Sequence, residues 1–267
     1  MKRKPVVAGQ FYPEQPDTLR KMVRKYLSPP AEERTAIGII SPHAGYIYSG
    51  SIAGKTFAQV KVPDRVVILG PNHHGHGHPA AISSAESWLT PLGETGVDSE
   101  LANLILKKCP DMASDETAHR YEHSLEVQLP FIQIRAPGSA IVPICLSHGP
   151  LDLLLDMGES LGNVLADYPG KVMMIASSDM THYESGVIAR EKDMRALDRI
   201  LALDPKGLYR TVRDERISMC GVVPVVVMLV AAKRLGAKTA SLVHYGNSGD
   251  VTGDQSQVVG YAGVVIE

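Results

Sequence analysis

Six short apolar runs constrain this chain more than any other feature. They are "AIGIIS" (Ala36–Ser41), "RVVILG" (Arg65–Gly70), "AIVPICL" (Ala140–Leu146), "KVMMIASS" (Lys171–Ser178), "TASLVHYG" (Thr239–Gly246) and "VVGYAGVVI" (Val258–Ile266). Each is rich in β-branched residues, too short for a helix, and lacks the polar alternation of a half-exposed strand. A largely parallel sheet covered on both faces demands strands of this kind. Helical spacing fills the gaps in "DTLRKMVRKYL" (Asp17–Leu27), "DSELANLILKKC" (Asp98–Cys109), "LDLLLDMGESLGNVLADY" (Leu151–Tyr168) and "IAREKDMRALDRILAL" (Ile188–Leu203). Asp17 is a plausible cap for the first. Strands alternating with helices predict an α/β chain folded as a three-layer α/β/α sandwich around a mostly parallel or mixed sheet. "SWLTPLGETGVD" (Ser87–Asp98) reads as a hairpin or strand-loop insertion, which is why a mixed sheet is allowed.

No linker, low-complexity segment or internal repeat interrupts the pattern, so residues 1–267 read as one domain. The longest apolar stretch, "GVVPVVVMLVAA" (Gly221–Ala232), falls short of the roughly 20 residues that a membrane span needs, and reads as a buried helix. A formal net charge of −2 gives no electrostatic case for nucleic acid or an anionic membrane as the main partner. The basic start "MKRKPVVAGQFYPEQ" is broken by Pro5, Gly9 and Gln10, so it does not read as a signal peptide. Cys109, Cys145 and Cys220 are odd in number and share no C-x-x-C spacing. A disulfide framework is not expected, and a reducing, cytoplasmic setting is.

Chemistry gathers just beyond the strand-like runs. His43 follows the first, His73 the second, and Asp179 and His182 follow "KVMMIASS". In open α/β sheets ligands bind outside the carboxyl ends of the strands, so these loops are expected to converge on one crevice. A single loop histidine is more often a solvated residue than a ligand. Three strand ends delivering imidazole or carboxylate together argue for a site. Within "PNHHGHGHP", His73 is favoured because it lies closest to its strand, whereas His76 and His78, spaced by glycines, read as surface residues.

Cys220 in "ISMCGVVP" precedes the buried helix, where a helix dipole would lower the thiol pKa and favour a metal-binding thiolate. The alternative is a small buried hydrophobe, the expected state of Cys109 and Cys145. In "YEHSLEVQLPF" (Tyr121–Phe131), Ser124 can start a helix, and Glu122 with Glu126 at i,i+4 would then share one face. His123 either lines the site or ties down a loop.

The segments "VAGQFYP", "SPHAGYIYSGSIA", "VVILGPNHHG", "TPLGE", "EHSLEVQLPF", "SSDMTHY" and "CGVVPV" run in order along nearly the whole chain. Together they resemble the Memo family, whose bacterial and archaeal members are labelled AmmeMemoRadiSam system protein B. The resemblance implies a fold similar to the class III extradiol (LigB-type) dioxygenases, which use non-haem iron(II). It implies metal ligands at His43, His73 and Cys220, and an acid/base histidine at His182. Tyr48 and Asp179 fall on matching segments and are expected to line the same pocket, with Glu122 and His123 as further candidates. The dioxygenases complete their ligand set with glutamate, where this family has cysteine. A thiolate is the softer donor, so copper or zinc competes with iron.

The expected function is therefore a mononuclear iron- or copper-dependent redox protein, dioxygenase-like in fold. The first alternative is a zinc-dependent hydrolase. The second is a non-enzymatic protein that binds a peptide or an AmmeMemoRadiSam partner protein, with a vestigial metal site.

Overall fold

The computed structural model describes residues 1–28 and 32–267. The chain opens with β1 (Lys2–Arg3), α1 (Pro16–Tyr26), β2 (Gly38–Ser41), α2 (Tyr46–Ala58) and β3 (Arg65–Pro71). A run of short strands follows: β4 (Ala80–Ile82), β5 (Ser87–Thr90) and β6 (Gly93–Gly96). Next come α3 (Ser99–Lys108), β7 (Ala113–Ser114), α4 (Leu129–Arg135), β8 (Ala140–Leu146), α5 (Leu151–Asp167) and β9 (Val172–Ser177). The last third holds β10 (His182–Glu184), α6 (Gly186–Leu201), α7 (Pro205–Asp214), α8 (Val222–Arg234), β11 (Ala240–Asn247), α9 (Gly249–Thr252) and β12 (Val258–Ile266).

Every one of the six apolar runs is a strand of one nine-stranded mixed sheet. Its centre is parallel, in the order β2-β9-β3-β8. Antiparallel β12 joins β2 on one side and antiparallel β4 joins β8 on the other, while β10 and β11 pair with β12. The Ser87–Asp98 insertion is the β5–β6 hairpin, which forms a separate three-stranded sheet with β1.

Alternate residues of the central strands enter opposite cores. Val67, Leu69, Val142, Ile144 and Met174 pack with α3, α5, α7 and α8. Val66, Ile68, Ile141, Met173 and Ile175 pack with α1, α2 and α4 on the other face. Burying both faces explains the absence of polar alternation and makes the architecture a three-layer α/β/α sandwich. The stretch read as a buried helix is α8, buried from Val222 to Ala232. Among the described residues no helix is long and apolar enough to cross a membrane.

The helix expected from Ser124 does not form there. Glu122 lies in irregular chain, a 3₁₀ turn covers Glu126–Gln128, and α4 begins at Leu129 with Pro130 in its first turn. Proline is preorganised for that position, which sets the start of the helix later than serine would. Glu122 and Glu126 consequently share no helical face and point to different partners.

Candidate metal centre

Three neighbouring parallel strands each deliver a side chain two residues past their end. β2 ends at Ser41 and gives His43, β9 ends at Ser177 and gives Asp179, and β3 ends at Pro71 and gives His73. His43 is buried, with 2% exposure. Its Nδ1 lies 2.9 Å from Ser177 Oγ. That hydroxyl spends its one hydrogen on the Ser124 carbonyl at 2.6 Å and accepts from Gln128 Nε2 at 2.8 Å. His43 Nδ1 must therefore donate, which leaves the lone pair on Nε2.

His73 reaches the same state through a different partner. Its Nδ1–H donates to Glu122 Oε1 at 2.9 Å, and its backbone N–H donates to Glu122 Oε2 at 2.8 Å. Ser124 N–H also donates to Oε1, at 2.8 Å. The Glu122 side chain is fully buried. A carboxylate behind a histidine fixes its tautomer and raises its basicity as a ligand. Burial opposes the charge on Glu122, yet the hydrogen bond and charge of His73 hold its carboxyl well below the usual range. His73 is in turn raised above 6.5 by Glu122, against the pull of burial.

His123 completes the group. Its ring stacks on His73 at 4.8 Å between centroids and meets His43 edge-on at 5.5 Å. Phe11, from the N-terminal segment, packs against it at 4.6 Å. One nitrogen from each of His43, His73 and His123 lies within 4.8 Å of the others, an arrangement able to hold a metal ion. Burial lowers the His123 pKa to about 4 and holds His43 well below 6.5, so both rings are neutral donors.

Cys220 approaches from the opposite side of the fold. Its Sγ lies 3.2 Å from His43 Nε2 and accepts the Asp179 N–H at 3.3 Å. Gly221 permits this, because a Cβ there would stand 2.4 Å from Ser178 Cβ at the end of β9. The expected lowering of the thiol pKa by the helix dipole is not what the environment produces. α8 begins two residues later, at Val222. Burial, followed by the nearby Asp179 carboxylate, pushes the thiol well above 9. A thiolate here needs a cation beside it.

Asp179 is hydrogen-bonded to the His43 loop, not to His182. Its Oδ1 accepts the His43 and Ala44 backbone N–H groups at 2.7 and 3.3 Å, fixing the loop that carries His43. Burial raises its carboxyl to about 6 despite those bonds. His182 is held by Ser218 instead. Its Nδ1–H donates to the Ser218 carbonyl at 2.9 Å and its backbone N–H to Ser218 Oγ at 2.7 Å, so neither bond uses Nε2. Tyr48 is half-buried on the first turn of α2, five residues beyond His43. His76 stacks on His74 in the outer loop, and neither it nor His78 belongs to the three-imidazole group.

A model of the Memo-like protein family matches residues 3–265. The chain belongs to the Memo family. It is 43% identical over 267 residues to a MEMO1 family protein of Methanosarcina barkeri, covering 99% of this chain and all of that one. It is 45% identical over 263 residues to a MEMO1 family protein of Archaeoglobus fulgidus, covering 98% of each. Among solved structures it is similar to an uncharacterized protein from Escherichia coli K12, with a TM-score of 0.54 and 14% identity. That match covers 88% of this chain and all of the other, and supports the sandwich fold. Within this Memo-family fold, the sequence left His123 either lining the site or tying down a loop, and the structure groups its ring with those of His43 and His73. Its only local signal was the adjacent Glu122.

Proposed function

We propose that this chain binds one metal ion at the β2–β3–β9 strand ends and serves as an iron- or copper-dependent redox protein. The observation that carries the reading is the pair of locked imidazoles. His43 and His73 each have Nδ1–H tied to an oxygen, with neutral or displaceable Nε2 sites at the same crevice. Cys220 is the third ligand. With bond lengths of about 2.0–2.1 Å to nitrogen and about 2.3 Å to sulfur, two donors on one tetrahedral ion lie about 3.5 Å apart. The observed 3.2 Å between His43 Nε2 and Cys220 Sγ is close to that. The donor set fits a soft or borderline metal, and iron or copper held there would supply one-electron redox chemistry.

The protein's own groups have separate tasks. Glu122 and Ser177 orient the two ligand rings, and Asp179 fixes the His43 loop. His182, with Nε2 free at the rim, holds and transfers a proton to or from a bound small molecule or peptide, and Tyr48 and His123 flank that ligand. The three free cysteines suit a reducing, cytoplasmic setting. Partner proteins of the AmmeMemoRadiSam type remain candidates for delivering or receiving the product.

A zinc-dependent hydrolase is the second reading, favoured by the compact three-imidazole set, a donor set that suits catalytic zinc. Metal stoichiometry of anaerobically purified variants separates the two. The redox reading expects one ion per chain, retained in His123→Ala and mostly lost in His73→Ala and Cys220→Ala. Retention in Cys220→Ala with loss in His123→Ala would overturn it in favour of the three-histidine site.

A further inference from the structure

A cleft of about 440 Å³ opens between α7, the loop after β8 and the turn that carries Cys220. It lies at the same end of the sheet as His43 and His73, since His148 in its wall follows the end of β8 at Leu146. Ile217, Met219 and Val222 give it a buried apolar lining. Its exposed lining is basic, with Arg213 and Arg216. A volume of this size sits inside the roughly 300–1,000 Å³ of small-molecule sites.

Arg216 stands out within that lining. α7 closes with Ile217 N–H donating to the Val212 carbonyl at 2.9 Å and Arg216 N–H donating to Arg213 at 3.3 Å. Arg216 itself sits at φ +52°, where glycine usually ends such a helix. A side chain there is disfavoured, so Arg216 stands at that point against the local backbone preference. Its sequence neighbours do not neutralise it. Asp214 pairs with Arg213 at 2.9 Å and Glu215 pairs with Arg195 at 2.6 Å. Among the described residues no carboxylate lies within salt-bridge distance of Arg216.

We propose that this cleft takes the anionic end of the substrate, a small amphipathic oxyanion with a carboxylate or phosphate head on an apolar or aromatic body. The guanidinium of Arg216 presents a fork of donors matched to such a head. The apolar lining takes the body, and Cys220 and Ser218 in the same wall bring it alongside the metal ligand and the His182 anchor. The role as a substrate subsite rests on the metal-centre reading; the anion binding itself does not.

Calorimetric titration with benzoate, phenyl phosphate and neutral benzyl alcohol tests the proposal. The intact protein is expected to bind at least one of the two anions and to ignore the alcohol, and the preferred anion identifies the head group. Arg216→Gly suits the positive φ, so it should fold with an unchanged or higher Tm and keep its metal. It should lose roughly tenfold or more in anion affinity, because a charge-assisted fork is removed. Equal binding by Arg216→Gly, equal binding of the alcohol, or no binding of either anion would overturn the proposal. Anion binding by a chain that holds no metal would sink the redox reading and leave the cleft standing. A metal-loaded chain that binds neither anion would do the reverse.

Discussion

Replacing Glu122 by Gln tests whether the carboxylate behind His73 sets the site. The side chain is isosteric and fully buried, so packing is unchanged and only hydrogen bonding differs. Three donors converge on the two carboxylate oxygens: His73 Nδ1–H, His73 N–H and Ser124 N–H. A glutamine offers one oxygen and one NH₂. With its oxygen toward His73 Nδ1 and Ser124, the NH₂ confronts the His73 backbone N–H. With the amide flipped, the NH₂ confronts Ser124 N–H and drives His73 to the tautomer that protonates Nε2. Either way a buried donor is left unmade, at about 1–3 kcal/mol. For a chain of this size each kcal/mol lowers Tm by about 2–4 °C. If His73 is a metal ligand as proposed, it also loses the partner that fixes its ring, a change worth about 10–100-fold in metal affinity. Thermal denaturation and competition against a chromogenic chelator read the two effects separately. Wild-type Tm together with wild-type metal affinity would refute the reasoning.

Other consequences are open to measurement. Arg3 is buried against Glu126 at 2.6 Å, so Arg3→Met should cost about 3–5 kcal/mol by leaving that buried charge without a cation, held only by the Val6 and Val7 N–H groups and the Tyr12 hydroxyl. Adding Glu126→Gln should recover part of the lost Tm in denaturation scans. In the stripped protein Cys220 should alkylate slowly at neutral pH and faster only at high pH, because burial holds its thiol well above 9. Metal should protect it even at high pH, with buried Cys109 and Cys145 slow in both states; high-pH labelling of Cys220 indifferent to metal would remove it from the ligand set. His182→Ala should keep metal and fold while lowering turnover by about 10²–10⁴-fold, whereas loss of metal would make it a ligand.

The parallel core was legible because residues such as Val66 to Leu69 are buried on both faces and show it in composition. α2 was not. Gly50 and Gly54 interrupt its sequence, and the fold needs them because a Cβ at either would lie 2.5 Å from Tyr26. That requirement comes from α1 packing across the helix and leaves no local signal. α7 does carry local signals, with Asp204 capping Gly207 N–H and Pro205 in the first turn.

The site divides the same way. His43, His73 and Asp179 were legible because a strand end fixes the chain, and each sits two residues beyond one. What orients the two rings was not legible. Ser177 orients His43 across 134 residues, Glu122 orients His73 across 49, and Ser218 orients His182 across 36. No periodicity links a ring to a partner that only tertiary folding brings near. The strand ends therefore decide where an imidazole stands, while the loops that close over them decide which nitrogen keeps its lone pair. Changes to Glu122 or Ser177 should accordingly alter metal affinity while leaving the strands that place the ligands intact.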